Sequence, residues 1–403
     1  MDSLTQIVLG AAVGEATLGR KIGNRAMVWG GIAGTLPDLD VLANAVSDPM
    51  SALVYHRAFT HSLPFAFLAA PVIGYAVYRM HAGPPGGKSK TYLFSILAFW
   101  LLLLAGSYAM SIEVYHIPAI TALITLVFTT LCAVAGWWSS RKGRSGTEVS
   151  FGQWMSLFFL AIVTHPLLDC FTAYGTQLFE PFSANRLAWN TISVIDPLYT
   201  LPFLLLLILA ARSGRGTQVR RHLNTAGLIV SSAYLLLTVV NHFNVGSVLE
   251  QSLQEEQLVA TRSLHSPSIG NNLLWSATVQ TDDDTYYLSQ YSILDEQRRF
   301  DPFLRVEGRH DLLTPYAGNR EIEILKWFTK GYYTVVPADS GRVQLSDLRY
   351  GLLGDDPDDP GAFIFSWTVD TTEQPVRVLR QRGGPEGDRG EMLSDLWERI
   401  WGI

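Results

Sequence analysis

Charge is scarce in this chain. Of its 403 residues only 16% are Asp, Glu, Lys or Arg and 48% are hydrophobic, whereas a soluble domain carries about a quarter charged residues. The shortage is also uneven. Residues 1–249 hold 15 Lys+Arg against 10 Asp+Glu, a net of +5, and residues 250–403 hold 15 against 26, a net of −11. Two domains follow from that shift, 1–249 apolar and slightly basic, 250–403 acidic and soluble in character. Cysteine is nearly absent. Cys132 and Cys170 lie in separate apolar stretches, which excludes a disulfide framework or a Cys-based zinc finger. The start, "MDSLTQIVLG", has no basic n-region and carries Asp2, so it reads as a first membrane element and not as a cleaved signal peptide. HExxH, G-x-S-x-G and G-x-x-x-x-G-K-[ST] are missing, which removes three familiar hydrolase and nucleotide-binding chemistries. No basic patch marks the acidic part, so no nucleic-acid partner is expected.

Long apolar runs are abundant before residue 250 and absent after it. A transmembrane helix takes about 20 apolar residues, and segments 62–80, 91–111, 117–138, 151–171, 194–211 and 225–243 meet that need. Segments 4–19 and 26–46 are weaker; they are rich in Gly and Ala, which permit close helix contact, and both carry acidic residues. The expected fold is therefore a membrane all-α, polytopic helical bundle of about eight segments, followed by a small β-rich extracytoplasmic domain. Lys/Arg clusters fall in every second connection, at Arg20–Arg25, Arg79–Lys90, Arg141–Arg144 and Arg212–Arg221. By the positive-inside rule these are cytoplasmic, and eight crossings then put the C-terminal domain outside. Within that domain, "NNLLWSATVQTDDDTYYLSQYSIL" reads as strand, acidic turn, strand. "GYYTVVPADSGRVQLSDLRYGLL" and "AFIFSWTVDT" also read as strands, and "EIEILKWF" as a short helix.

Ionisable residues in or beside membrane segments are costly and mark function. On the charge-derived topology "LPDLD" (Asp38, Asp40), "HRAFTHS" (His56, Arg57, His61), "HPLLD" (His165, Asp169) and Asp196 all reach the outer face. His165 and Asp169 are four apart, one above the other on a helix face. Two Asp flanking Leu39 can offer two carboxylates to one cation. Each motif alone has a plain structural reading: a helix-end pair, a turn with a cap, an interfacial loop. Together they predict a divalent-metal site of Asp38, Asp40, His56, His61, His165 and Asp169; imidazole plus carboxylate suits zinc, manganese or iron without choosing among them, and zinc or manganese is the expectation. Asp38 or Asp169 would act as general base, and Arg57 would hold substrate oxygens through its fork. Glu15 lies apart from this set and reads as a residue with a local polar partner.

"MDSLTQIVLGAAVGEA", "GTLPDLD", "HRAFTHS" and "HPLLD", in this order, resemble the YdjM-like family of bacterial membrane-bound proteins classed as metal-dependent hydrolases. The likeness covers about the first 200 residues and leaves the C-terminal domain outside. It implies a multi-pass protein of the bacterial inner (cytoplasmic) membrane and carries the family site onto the six ligand candidates above. Where many members have His, this chain has Gln6, a poor ligand. The expected function is hydrolysis, at the outer face, of a phosphoester in a lipid or lipid-linked substrate. The alternatives are a metal or proton transporter and a membrane-anchored scaffold or sensor.

Overall fold

The computed structural model describes residues 1–45, 47–82, 149–281, 284–338, 341–352, 356–357, 359, 361–372, 376–382 and 389–402. The expected segments 91–111 and 117–138, and the basic residues Lys88, Lys90, Arg141, Lys142 and Arg144, lie outside the described residues. The chain divides into two compact units: Met1–Ala188 with Leu198–Tyr234, and Trp189–Pro197 with Leu235–Ile403.

The first unit is helical. Asp2 caps α1 (Ser3–Ile22) by accepting from the Thr5 N–H at 3.0 Å, and Arg20 and Lys21 in its last turn suit the negative end of the helix dipole. Gly23 turns the chain at φ 61° into α2 (Asn24–Thr35). The two helices touch backbone to backbone. A Cβ on Gly10 would lie 2.9 Å from the Gly34 Cα, and one on Gly30 would lie 2.8 Å from the Gly14 Cα. Two small-xxx-small stripes, Gly10/Gly14 and Gly30/Gly34, thus make the contact. Expected segment 26–46 is not one helix. Pro37 has no N–H to continue the α ladder, so the chain tightens there into a 3-10 helix, Pro37–Ala45. After α3 (Pro49–Tyr55), a short 3-10 turn (Phe59–His61) leads into α4 (Leu63–Ala82). Helix α5 (Phe151–Asp169) opens with a capping box between Ser150 and Gln153. It packs on α4 so closely that a Cβ on Gly74 would meet the Met155 N at 2.8 Å. Trp154, Leu157, Phe158 and Ile162 of α5 join Phe65, Ala66, Ala69 and Ile73 of α4 and Leu18 and Ala33 in one buried cluster. Helix α6 is Pro197–Arg212 and α7 is Gln218–Glu255.

Among the described residues three helices are long and apolar enough to cross a membrane: Leu63–His81, Phe151–Asp169 and Gln218–Glu255. Nineteen residues of α5 span about 28 Å, close to the thickness of a hydrocarbon core. Six of the eight expected segments lie among the described residues, and three of those six meet this measure. Helix α6 is apolar but shorter, α1 carries Glu15, and segment 26–46 breaks at Pro37.

Glu15 is buried, and so is its partner. Arg220 donates from Nε to Glu15 Oε1 at 2.6 Å and from Nη2 to Oε2 at 2.5 Å. Its Nη1 serves Asn24 Oδ1 at 2.6 Å and the Ser213 carbonyl at 3.3 Å. This two-pronged pair staples α7 to α1.

The second unit is a two-sheet antiparallel domain. One sheet has the order β1 (Arg262–Pro267), β2 (Leu274–Gln280), β3 (Thr285–Ser292), β4 (Leu304–Glu307). The other has β5 (Tyr333–Pro337), β6 (Val343–Asp347), β7 (Phe365–Asp370), β8 (Arg377–Arg382). Helices α8 (Arg320–Phe328) and α9 (Arg389–Ile400) follow the first and second sheets. The β2–β3 hairpin, the β5–β6 pair, β7 and α8 were legible in the sequence; β1, β4, β8 and α9 were not. Val245, Val248, Leu249 and Leu253 of α7 pack on Trp275, Ala277 and Val279 of β2. His242 of α7 stacks on His265 of β1, with ring centres 4.2 Å apart.

Two expectations follow. Arg220→Met leaves Glu15 buried without a partner and lowers stability by about 3–5 kcal/mol, while the double variant with Glu15→Gln regains most of it; thermal unfolding in detergent reads both. The second concerns pH. Burial and the neighbouring His242 push His265 from the ordinary 6.5 down to about 4. Protonation therefore favours the unfolded chain: the contribution is complete above about 6.5 and is lost as pH falls toward about 4. The melting temperatures of wild type and His265→Gln should diverge within that window only, wild type losing more.

Candidate metal centre

The 3-10 helix after Pro37, the turn before α4 and the last turn of α5 bring their polar residues together. Asp38 Oδ1 lies 3.6 Å from His61 Nε2 and 3.4 Å from His165 Nε2, and the two Nε2 atoms are 3.1 Å apart. These three atoms can hold a metal ion. For ligands at about 2.0–2.1 Å, neighbouring corners of a tetrahedron are about 3.3 Å apart, so the spacing suits three corners of one coordination sphere. His61 and His165 are fully buried, and the Asp38 side chain is 17% exposed, so the triad meets its surroundings through Asp38.

The far nitrogen of each ring is held. His165 Nδ1 donates to the Gly34 carbonyl at 2.5 Å, an atom that can only accept. His61 Nδ1 is 3.2 Å from Asp40 Oδ2. Burial alone would raise the Asp40 carboxyl, but the His56 and His61 rings beside it hold it well below the usual carboxylate range. It is ionised and also only accepts. With Nδ1 donating, a neutral imidazole presents its Nε2 lone pair on the side of Asp38.

Asp169 borders the triad. Its Oδ2 is 3.4 Å from both Nε2 atoms and 3.3 Å from Arg57 Nε, and it receives no hydrogen bond. Its Oδ1 accepts from the Met1 amino group and from Gln6 Nε2 at 3.0 Å. Gln6 thus acts as a hydrogen-bond donor to Asp169. Asp40 and His56 stand behind His61. Asp40 accepts from the Arg57 N–H at 2.7 Å and pairs with His56 Nδ1 at 3.1 Å, while the His56 side chain is 32% exposed. Asp196 is buried at the start of α6 and supplies no atom to the triad.

Arg57 has a left-handed backbone, φ 58°, costing on the order of 1–3 kcal/mol for a non-glycine residue. That conformation aims its N–H at Asp40 and its guanidinium at Asp169 and Thr172, whose Oγ1 accepts from Nη1 at 3.0 Å. The Tyr174 ring lies 4.9 Å from the Arg57 guanidinium and 4.3 Å from that of Arg186. The Gly34 carbonyl, Thr172 and Tyr174 escaped sequence reasoning; a backbone acceptor has no residue signature at all.

A family model described as YdjM inner membrane protein matches residues 1–118 and 119–245. The chain belongs to that family. No curated protein and no solved structure matches it.

Asp40 should matter to a metal without touching it. Asp40→Asn offers His61 Nδ1 an amide donor, which moves the ring hydrogen to Nε2 and toward the ion. Affinity is expected to fall about 10–100-fold, measured by chelator competition, with His61→Ala falling further.

Proposed function

We propose that the chain is a membrane-embedded, metal-dependent hydrolase that cleaves a phosphoester in a lipid or lipid-linked substrate. The observation that carries this reading is the triad: three ligand atoms with both imidazoles oriented from behind, the set that leaves a position free for water or substrate. Asp38, His61 and His165 hold the ion, zinc or manganese, and Asp169 borders it. Bound there, the cation supplies a water of lowered pKa and neutralises charge on a phosphoryl oxygen. Asp169 Oδ2, which receives no hydrogen bond, is placed to take a proton from water as general base; Asp38 is the other carboxylate at hand. Arg57, beside Asp169 and over Tyr174, binds phosphoryl oxygens. Asp40 and His56 support His61.

The location fits an amphiphile. His61 lies two residues before α4, and His165 lies in the last turn of α5, both helices long enough to cross a bilayer. The alternating Lys/Arg clusters support an outward-facing site and an extracytoplasmic C-terminal domain in the inner membrane. A transporter would need mobile polar groups farther along the bundle, and the candidate there, Glu15, is locked by Arg220.

Metal analysis of the detergent-purified protein tests the reading, with release of phosphate or headgroup from lipid phosphoesters as the activity. Wild type should hold a divalent ion near one per chain. His61→Ala should lose ion and activity together, and Asp169→Asn should keep most of the ion while activity falls by about 100-fold or more. A wild-type protein without metal, or unchanged metal in His61→Ala, overturns it.

A further inference from the structure

Between α5 and α6 the chain makes a closed loop. Thr176 and Leu187 exchange both backbone hydrogen bonds at 2.9 Å, and the residues between them form an Ω-shaped excursion. Its base is sewn to the segment that carries His61. The Gln177 N–H donates to the Arg57 carbonyl at 2.9 Å, and the Leu63 N–H donates to the Leu178 carbonyl at 2.9 Å. Gln177 Nε2 reaches the Val54 carbonyl, also at 2.9 Å. Leu178 is buried, so the base is packed as well as hydrogen-bonded.

The tip is the opposite. Phe182 is 85% exposed and Phe179 48%. A turn that returns the Phe182 N–H to the Phe179 carbonyl at 2.9 Å holds the two residues together. The ionisable residue between them, Glu180, is buried, so what the tip offers outward is phenyl surface beside Ala184 and Asn185. Paired exposed rings on a braced loop are unfavourable in water and need an apolar neighbour. The loop's attachment point says which. Leu63, bonded to Leu178, is the first residue of α4, a helix able to cross a membrane. One turn further, Phe67 is 63% exposed and Leu68 42%. The tip therefore projects where an outward apolar helix face begins, at the end of α4 that adjoins His61.

We infer that residues 176–187 form an interfacial anchor, with Phe179 and Phe182 entering the acyl region of a phospholipid bilayer at the helix ends that carry the triad. The anchor holds whether or not the centre is catalytic. If it is, an amphiphile lying in that leaflet has its headgroup beside Asp38.

Nitroxide labelling of the full chain tests this. Phe182→Cys and, separately, Phe179→Cys are made with Cys132→Ala; Cys170 is fully buried. Gln218→Cys, exposed at the start of α7 after an arginine-rich loop, is the aqueous reference. In vesicles of phosphatidylcholine and phosphatidylglycerol, labels at 182 and 179 should be relaxed more by oxygen than by a water-soluble nickel chelate, at a depth of about 5–10 Å. The label at 218 should show the reverse. Chelate access at both 182 and 179 equal to that at 218 overturns the inference. Spin–spin broadening at 182 that disappears on dilution with unlabelled protein overturns it too, since the tip would then meet a second copy of the chain.

Discussion

Two imidazole nitrogens 3.1 Å apart, each with its other nitrogen already committed, set the terms for the first unit. Asp38 Oδ1 and Asp169 Oδ2 lie within 3.6 Å of them. A neutral ring whose Nδ1 is committed adds one more lone pair to these carboxylate oxygens. Such an array is repulsive unless a cation or a proton is shared, and in a buried setting the repulsion is poorly screened. The surrounding structure exists to hold it. The Gly34 carbonyl can reach His165 because α1 and α2 touch through glycines, which fixes the end of α2. Asp40 can reach His61 because Pro37 ends the α ladder and tightens the next turns.

That packing has to do more here than in a soluble core. Between apolar helices in lipid there is no hydrophobic gain from contact, so close van der Waals approach and polar pairs carry the association. The glycine seams at Gly10–Gly34, Gly14–Gly30 and Gly74–Met155 provide the first. The Arg220–Glu15 staple and the bond from Asn224 Nδ2 to the Ala12 carbonyl at 3.0 Å provide the second. A rigid frame of this sort keeps like partial charges close together where a softer one would let them separate.

The His and Asp motifs were legible because ionisable residues stand out against apolar sequence, and their shared face followed from the placement of Lys and Arg. What composition could not resolve was rank within the group. His56 and His61 belong to one heptapeptide with the same chemistry, yet one ring points into the triad and the other lies behind Asp40. The difference arises from the left-handed turn at Arg57, which residue type does not announce. Segment 26–46 reads as a continuous apolar run because hydropathy averages over Pro37, whereas the hydrogen-bond ladder responds to the single missing donor. In the C-terminal domain the strands with aromatic and β-branched residues could be read. Strand β1, "RSLHSP", and β8, "RVLRQR", are edge strands, and polar edges carry a weak signal.

Among the described residues the first unit holds two buried ionic clusters, and they differ in how fully their polar atoms are paired. At Arg220, four donor contacts meet two carboxylate oxygens, an amide oxygen and a carbonyl, so donors and acceptors balance and little is left to bind anything else. Around His61 and His165 the balance fails in one direction. Asp169 Oδ2 receives no hydrogen bond, and Arg57 adopts a costly backbone while directing its guanidinium to Asp169. Evolution tolerates a balanced buried pair for the contact it secures. The second cluster has the Met1 amino group and the Arg57 guanidinium beside Asp169, and it also gathers Asp38 Oδ1 and two imidazole Nε2 atoms into a donor set that can hold a metal ion.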